Sequence, residues 1–173
     1  DDFNHVEFTG SGSWSVTDPV LTVGGDLTQT AGTITFPAGT STFSGSFESN
    51  GGSFDANSGF ALFDGSGTHD VTLGGSDLAQ VEFAGGTYVF GDTNATTTDS
   101  ITITSGSLTL PSGTLTVGGD FRNVGGSFTH NTAELVFSTS TSATLLASSS
   151  DLYGVTFNGG GVYSIEDNSL TLL

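Results

Sequence analysis

The sequence predicts an all-β chain folded as a β-solenoid, a right-handed parallel β-helix built from repeats of about 74 residues. Three observations carry this. The chain is similar to itself at a fixed shift. Its apolar residues alternate with small polar ones in very short, evenly spaced runs. Its composition favours strands and tight turns over helices.

Self-similarity comes first, because a repeat decides the architecture before any local reading does. Asp77-Leu78-Ala79-Gln80-Val81-Glu82-Phe83 recurs as Asp151-Leu152-Tyr153-Gly154-Val155-Thr156-Phe157, 74 residues later. The same shift carries Ile34-Thr35-Phe36-Pro37 onto Leu108-Thr109-Leu110-Pro111, and Gly51-Gly52-Ser53-Phe54 onto Gly125-Gly126-Ser127-Phe128. At the N-terminal end Asp2-Phe3-Asn4-His5-Val6-Glu7-Phe8 matches Asp77 to Phe83 at a shift of 75. The whole of 1–173 reads as one continuous solenoid, with repeats at about 2–76 and 77–150 and a partial copy at 151–173.

Within a repeat, Ile101-Thr102-Ile103, Leu108-Thr109-Leu110 and Leu115-Thr116-Val117 are period-2 triplets seven residues apart. Ser105-Gly106, Ser112-Gly113 and Gly118-Gly119 separate them and form turns. Short strands joined by such corners describe a polygonal coil whose turns stack over one core. The spacing implies three or four turns per repeat. Two tandem β-sandwich modules are the alternative that produces the same self-alignment; the short even strands and gap-free phase favour the solenoid. Phe47, Phe54, Phe63, Phe83, Phe121, Phe128, Phe137 and Phe157 fall on the inward phase and are expected to stack at equivalent positions.

The 173 residues include 27 Gly and 14 Phe, with no Cys and no Met. Eighteen acidic residues face one base, Arg122, for a formal charge of −17. Nucleic acid and anionic membranes are excluded as partners, since both are recognised by Lys and Arg. No apolar run approaches the ~20 residues of a membrane helix, so no membrane insertion is expected.

The run Leu115-Thr116-Val117-Gly118-Gly119-Asp120-Phe121-Arg122-Asn123-Val124-Gly125-Gly126-Ser127-Phe128 resembles the Gly/Ser/Thr-rich repeats of large bacterial cell-surface proteins. Those are similar in turn to autotransporter passengers and filamentous haemagglutinin-type adhesins. The resemblance implies surface display, adhesion or fibre formation, and it carries no catalytic residue across.

His5, His69 and His130 share no metal-ligand spacing. Glu166-Asp167 and Asp1-Asp2 are the only adjacent carboxylate pairs, and Arg122, in a turn-like Gly-rich stretch, is the only cation for a lyase to use. No enzymatic activity and no cofactor are expected. Calcium is the ion to consider, because Asp18, Asp92 and Asp167 share one phase and Asp2, Asp77 and Asp151 another; turn capping by these side chains explains them more simply. Phe8, Phe83 and Phe157, with Trp14, Tyr88 and Tyr163 nearby, would suit a glycan platform or, more simply, the core. Asn94-Ala95-Thr96-Thr97-Thr98 interrupts the apolar pattern and reads as a loop bulging from the wall, with Asn94 as a glycosylation acceptor.

Both ends stop at nearly the same phase and consist of ordinary repeat sequence, without a cap. An uncapped solenoid exposes unpaired backbone that templates further pairing. Asp2, Phe3, Val6, Phe8, Leu170, Thr171 and Leu172 are therefore the expected assembly interface, and the chain itself, head to tail, the expected partner. The functional expectation is a structural element of an extracellular bacterial filament or surface fibre. A carbohydrate-binding surface adhesin is the alternative, with a polysaccharide-active enzyme or tailspike third.

Overall fold

The computed structural model describes residues 2–148, 150–167 and 169–173. These form parallel strands and no helix, stacked as a β-solenoid of about eight turns. At ~4.8 Å per turn the rod is roughly 40 Å long. The tandem-sandwich alternative is thereby set aside, since every strand pairing is parallel between successive turns.

The strands follow in chain order. The first turn holds β1 (Asp2–Phe3), β2 (Val6–Phe8) and β3 (Ser13–Ser15). The second holds β4 (Val20–Val23), β5 (Leu27–Gln29) and β6 (Thr33–Thr35), and the third β7 (Thr40–Phe43), β8 (Phe47–Ser49) and β9 (Ser53–Asp55). Then come β10 (Phe60–Phe63) and β11 (Thr68–Thr72), the long β12 (Gln80–Phe90), which runs on from one face to the next, and β13 (Asn94–Thr97). β14 (Ile101–Thr109) spans two faces in the same way and is followed by β15 (Thr114–Val117). β16 (Phe121–Asn123), β17 (Ser127–Thr129), β18 (Glu134–Phe137), β19 (Ser142–Leu146), β20 (Gly154–Phe157) and β21 (Val162–Ile165) complete the rod. Three faces result. Face A begins with β1, β4 and β7, face B with β2, β5 and β8, and face C with β3, β6 and β9.

The register sets the turn length. Thr22 pairs with Thr42 and Thr42 with Leu62, so a standard turn takes 20 residues. Phe47 pairs with Val71 and Phe121 with Leu145, so these two turns take 24. The four extra residues enlarge one corner in each copy, at residues 64–70 and again at 138–144.

One repeat therefore spans eleven strand segments, three full turns and two further faces, within the expected range of three to four. Successive copies are rotated by one face. β7 lies on face A, and its equivalent β15 stacks with β13, β18 and β20 on face C. β8 lies on face B, and its equivalent β16 stacks with β14 and β19 on face A. Repeat-equivalent residues are thus not neighbours. Phe8, Phe83 and Phe157 sit on faces B, A and C, so the expected stacking of equivalent phenylalanines is replaced by stacking between adjacent turns: Phe43 on Phe63 (5.4 Å) and Phe63 on Phe83 (5.0 Å).

Seven of the eight predicted core phenylalanines are buried, Phe63, Phe83, Phe121 and Phe137 almost completely. The eighth, Phe157, is 42% exposed; its strand β20 pairs on one side only, with β18. Inward polar residues are satisfied. Gln29 donates to Gly32 O (3.0 Å) and Ser53 O (2.9 Å) and accepts from Ser49 Oγ (2.9 Å). Among the described residues no buried side-chain nitrogen or oxygen lacks a partner.

Corners are drawn so close that glycine is a packing requirement. A Cβ on Gly118 would collide with the backbone of Thr98 in the turn before, and one on Gly45 with Gly25. At another corner Asn57 and Asn131 adopt φ of 52° and 49°, and each donates Nδ2 to the preceding turn, to Phe36 O and Leu110 O, both at 3.1 Å.

Two local expectations are corrected. Asn94 to Thr98 is no outward loop. β13 pairs with β15 over four residues, and Ala95 and Thr97 point inward and are buried. Backbone hydrogen bonding to an in-register neighbour outweighs the weak apolarity of the segment, and Thr97 Oγ1 finds Asp99 O at 3.1 Å. Arg122 is mid-strand in β16, not in a turn, and pairs with Glu166 at 3.0 Å.

Phe63 touches Phe43, Phe47, Phe83 and Tyr88. Phe63→Ala is expected to cost about 3–5 kcal/mol, read from urea denaturation, with Phe157→Ala well below it.

Candidate functional site at the end turns

The predicted interface residues lie in the first and last turns of the described residues. At the N-terminal end β1, β2 and β3 each pair on one side only, with β4, β5 and β6. Their inward residues Phe3, Val6, Phe8 and Trp14 line an open cavity of about 350 Å³ together with Leu21 and Val23. At the other end Phe157, Ile165 and Leu172 are 42%, 50% and 57% exposed, although their equivalents Phe83, Phe90 and Thr97 are buried. Of the seven predicted interface residues, Phe3, Val6, Phe8, Leu170 and Leu172 hold inward positions. Asp2 and Thr171 lie on the outer side.

Backbone direction at the last strand is set by its bridge to the turn above. Leu152 N donates to Thr171 O (3.1 Å) and Leu173 N to Leu152 O (3.0 Å). Leu172 N–H and C=O therefore point away from the rod, toward the place of a following turn. Thr171, the residue singled out from sequence, faces back.

The aspartates of one phase act on backbone. Asp92 accepts from Leu73 N (2.5 Å) and Gly74 N (3.2 Å), and Asp167 from Ala147 N and Ser148 N, both at 2.7 Å. The two turns are repeat equivalents, and Gly74 and Ser148 share a left-handed φ of 61° and 50°. Turn capping accounts for both carboxylates, as expected. Among the described residues no group of three or more His, Asp or Glu is close enough to hold a metal ion.

The tyrosines fill the enlarged corners. Tyr88 is buried; its hydroxyl donates to Phe43 O (3.2 Å) and accepts from Gly65 N (2.8 Å). Tyr163 donates to Thr139 O and accepts from Gly159 N, both at 3.1 Å. Each packs on the phenylalanine of its own copy, Phe83 at 5.5 Å and Phe157 at 4.7 Å. The sequence admits these rings either as a surface platform or as part of the core. The four-residue insertion that makes room for them was visible only as a slightly longer gap between triplets. Burial pushes the Tyr88 hydroxyl above its ordinary value of 10.0; the Gly65 bond opposes this and the Asp64 charge adds to it.

The outer surface is otherwise polar. Asn94 is exposed, and its Oδ1 accepts from Thr114 N (2.9 Å). His130 stacks on the half-exposed Tyr153 at 6.0 Å. Among the described residues no helix is long and apolar enough to cross a membrane. The chain is a β-solenoid repeat protein. No protein-family model matches it, and neither the curated proteins nor the solved structures yield a match.

Asp92→Ala strands two turn amides and is expected to cost about 1–3 kcal/mol in urea denaturation, with or without EDTA. Tyr88→Phe removes the acceptor of Gly65 N and costs a similar ~1–3 kcal/mol. Because the folded hydroxyl titrates above the unfolded one, its contribution is complete below pH ~10 and lost as pH rises through the raised value. The wild type should lose stability above pH ~10 more steeply than Tyr88→Phe.

Proposed function

We propose that this chain is a structural element of an extracellular bacterial filament or surface fibre, assembling end to end through its terminal turns with further stretches of the same repeat. The observation that supports this best is the stack itself: parallel turns in register over one sealed core, with a repeat of about 74 residues, an architecture that lengthens by adding turns along its axis. Axial contacts of this kind do not close into a ring and so propagate as a fibre. The charge of −17 along the sides opposes lateral clumping and leaves the ends as the favoured contact.

The adhesin alternative loses its main motivation, because Tyr88 and Tyr163 spend their hydroxyls on backbone and Phe83 is buried.

Electron microscopy of purified material checks the reading, with long uniform fibres expected and isolated rods counting against it. Leu172→Pro removes the N–H that points away from the Leu152 bridge, and should shorten or abolish fibres while leaving the urea midpoint of the rod close to wild type. Fibres of unchanged length would refute an edge contact at this end.

A further inference from the structure

An Asn–Gly or Asp–Gly linkage is a chemical weak point, because glycine puts no side chain in the way of ring closure between its own nitrogen and the side-chain carbonyl before it. The chain holds three: Asn50-Gly51, Asp64-Gly65 and Asn158-Gly159. Asn50, Asp64 and Asn158 are all exposed. The fold treats the three glycine nitrogens differently.

Two of them are held by the corner tyrosines. Gly65 N donates to Tyr88 Oη at 2.8 Å, and Gly159 N to Tyr163 Oη at 3.1 Å. Among the described residues nothing accepts from Gly51 N, and nothing bonds to the Asn50 carboxamide. The carbonyl of the turn before, Gln29 O, is taken by Asn50 N at 2.8 Å. The repeat counterpart Gly125 N has only a 3.3 Å share of Ile103 O, which already accepts from Val124 N at 2.9 Å. The corner nevertheless demands its glycine: a Cβ on Gly51 would lie 2.4 Å from Thr30 O. It does not demand the asparagine, since the second copy carries Val124 there.

We infer that Asn50 is a site of spontaneous covalent modification, deamidation through a cyclic imide, and that Tyr88 and Tyr163 protect the other two linkages. Gly51 N loses its proton and attacks Asn50 Cγ. The N–Cγ bond forms, the Cγ–Nδ2 bond breaks, and the amide leaves as ammonia, taking up the proton that Gly51 gave. Water is the one co-reactant. It opens the imide at either carbonyl and leaves aspartate or β-linked isoaspartate at position 50. Both products add a negative charge to a rod that carries −17. The β-linkage also adds a backbone atom at a corner that has no room for a Cβ, and so disturbs the pairing of β9 with β6. This inference rests on the corner alone and is independent of the assembly reading.

The test holds the purified full chain in warm, mildly alkaline buffer and then cuts it after glutamate. Peptides 49–82 and 135–166 carry Asn50 and Asn158 separately, and fragmentation distinguishes Asn50 from Asn57. The amide-to-acid mass gain is expected at Asn50 roughly fivefold faster than at Asn158, which is what one N–H bond of ~1 kcal/mol is worth. An isoaspartyl methyltransferase should label the first peptide. In urea, with both linkages unfolded, the two rates should converge. Tyr163→Phe should raise the Asn158 rate to near that of Asn50 and leave Asn50 unchanged. Asn50→Val should give no acid at this corner and keep its urea midpoint through an incubation in which the wild-type midpoint falls. Asn158 reacting as fast as Asn50 in the folded chain, a rate ratio that persists in urea, or a folded Tyr163→Phe variant with the wild-type rate at Asn158 would each overturn the inference.

Discussion

Everything in this rod depends on equal turn length. Parallel strands in register require residue i to sit over residue i+20, and each 20-residue step brings an inward residue over an inward residue. A one-residue slip within a strand would turn its opposite face to the core, so the odd residues fall at corners, as between Phe3–Val23 and Val6–Leu27. The constraint explains the corners. Turns ~4.8 Å apart leave no room for a Cβ where the chain bends sharply, so Gly118 and Gly45 lie against the backbone of the turn before. It also explains the polar interior: Gln29 and Ser49 hold neighbouring corners together through side-chain bonds that only registered stacking can align.

The rod departs from this rule by one residue between β2 and β5 (21) and between β11 and β12 (19), and by four residues once per copy, where the departure is repaired locally. Four extra residues open a corner, β11 and β19 re-enter register beyond it, and a tyrosine from the next turn fills the space with its hydroxyl on the corner backbone. The aspartate that follows four residues later closes the next turn. The insertion, the tyrosine and the aspartate form one device spread over about 25 residues of sequence and brought together by one turn of the coil. The Arg122–Glu166 pair is a lesser tie; an ion pair this exposed contributes ~0–1 kcal/mol.

The repeat and the period-2 triplets were legible in the sequence because both follow from the pleat: Leu115 and Val117 face in, Thr116 faces out, and Gly118 ends the strand. The buried phenylalanines were legible for the same reason. Asn94–Thr97 was misread because single-segment apolarity cannot show that a polar strand is held by β15 on one side and by the Leu78–Thr97 bridge on the other. Trp14, Tyr88 and Tyr163 were ambiguous because amphipathic rings suit surface and core alike, and only the corner geometry decides between them. The direction in which each backbone group of the final residues points was not legible, since alternate residues of an extended chain bond to opposite sides.

The one-face rotation between copies bears on how such rods behave beside one another. A flat ribbon or an amyloid-like stack needs one chemically uniform side along the whole length of a rod. Here no side is uniform. The glutamate-bearing stripe of Glu7, Thr28 and Glu48 lies on face B, and its counterpart of Glu82, Thr102 and Arg122 lies on face A. A repeat of eleven segments on a three-sided frame winds each patch around the axis like the stripe on a barber's pole. Two parallel rods can then match only over short stretches before their surfaces fall out of step. The frame thus disperses lateral attraction by geometry, in addition to charge, and favours separate thin fibres over bundles.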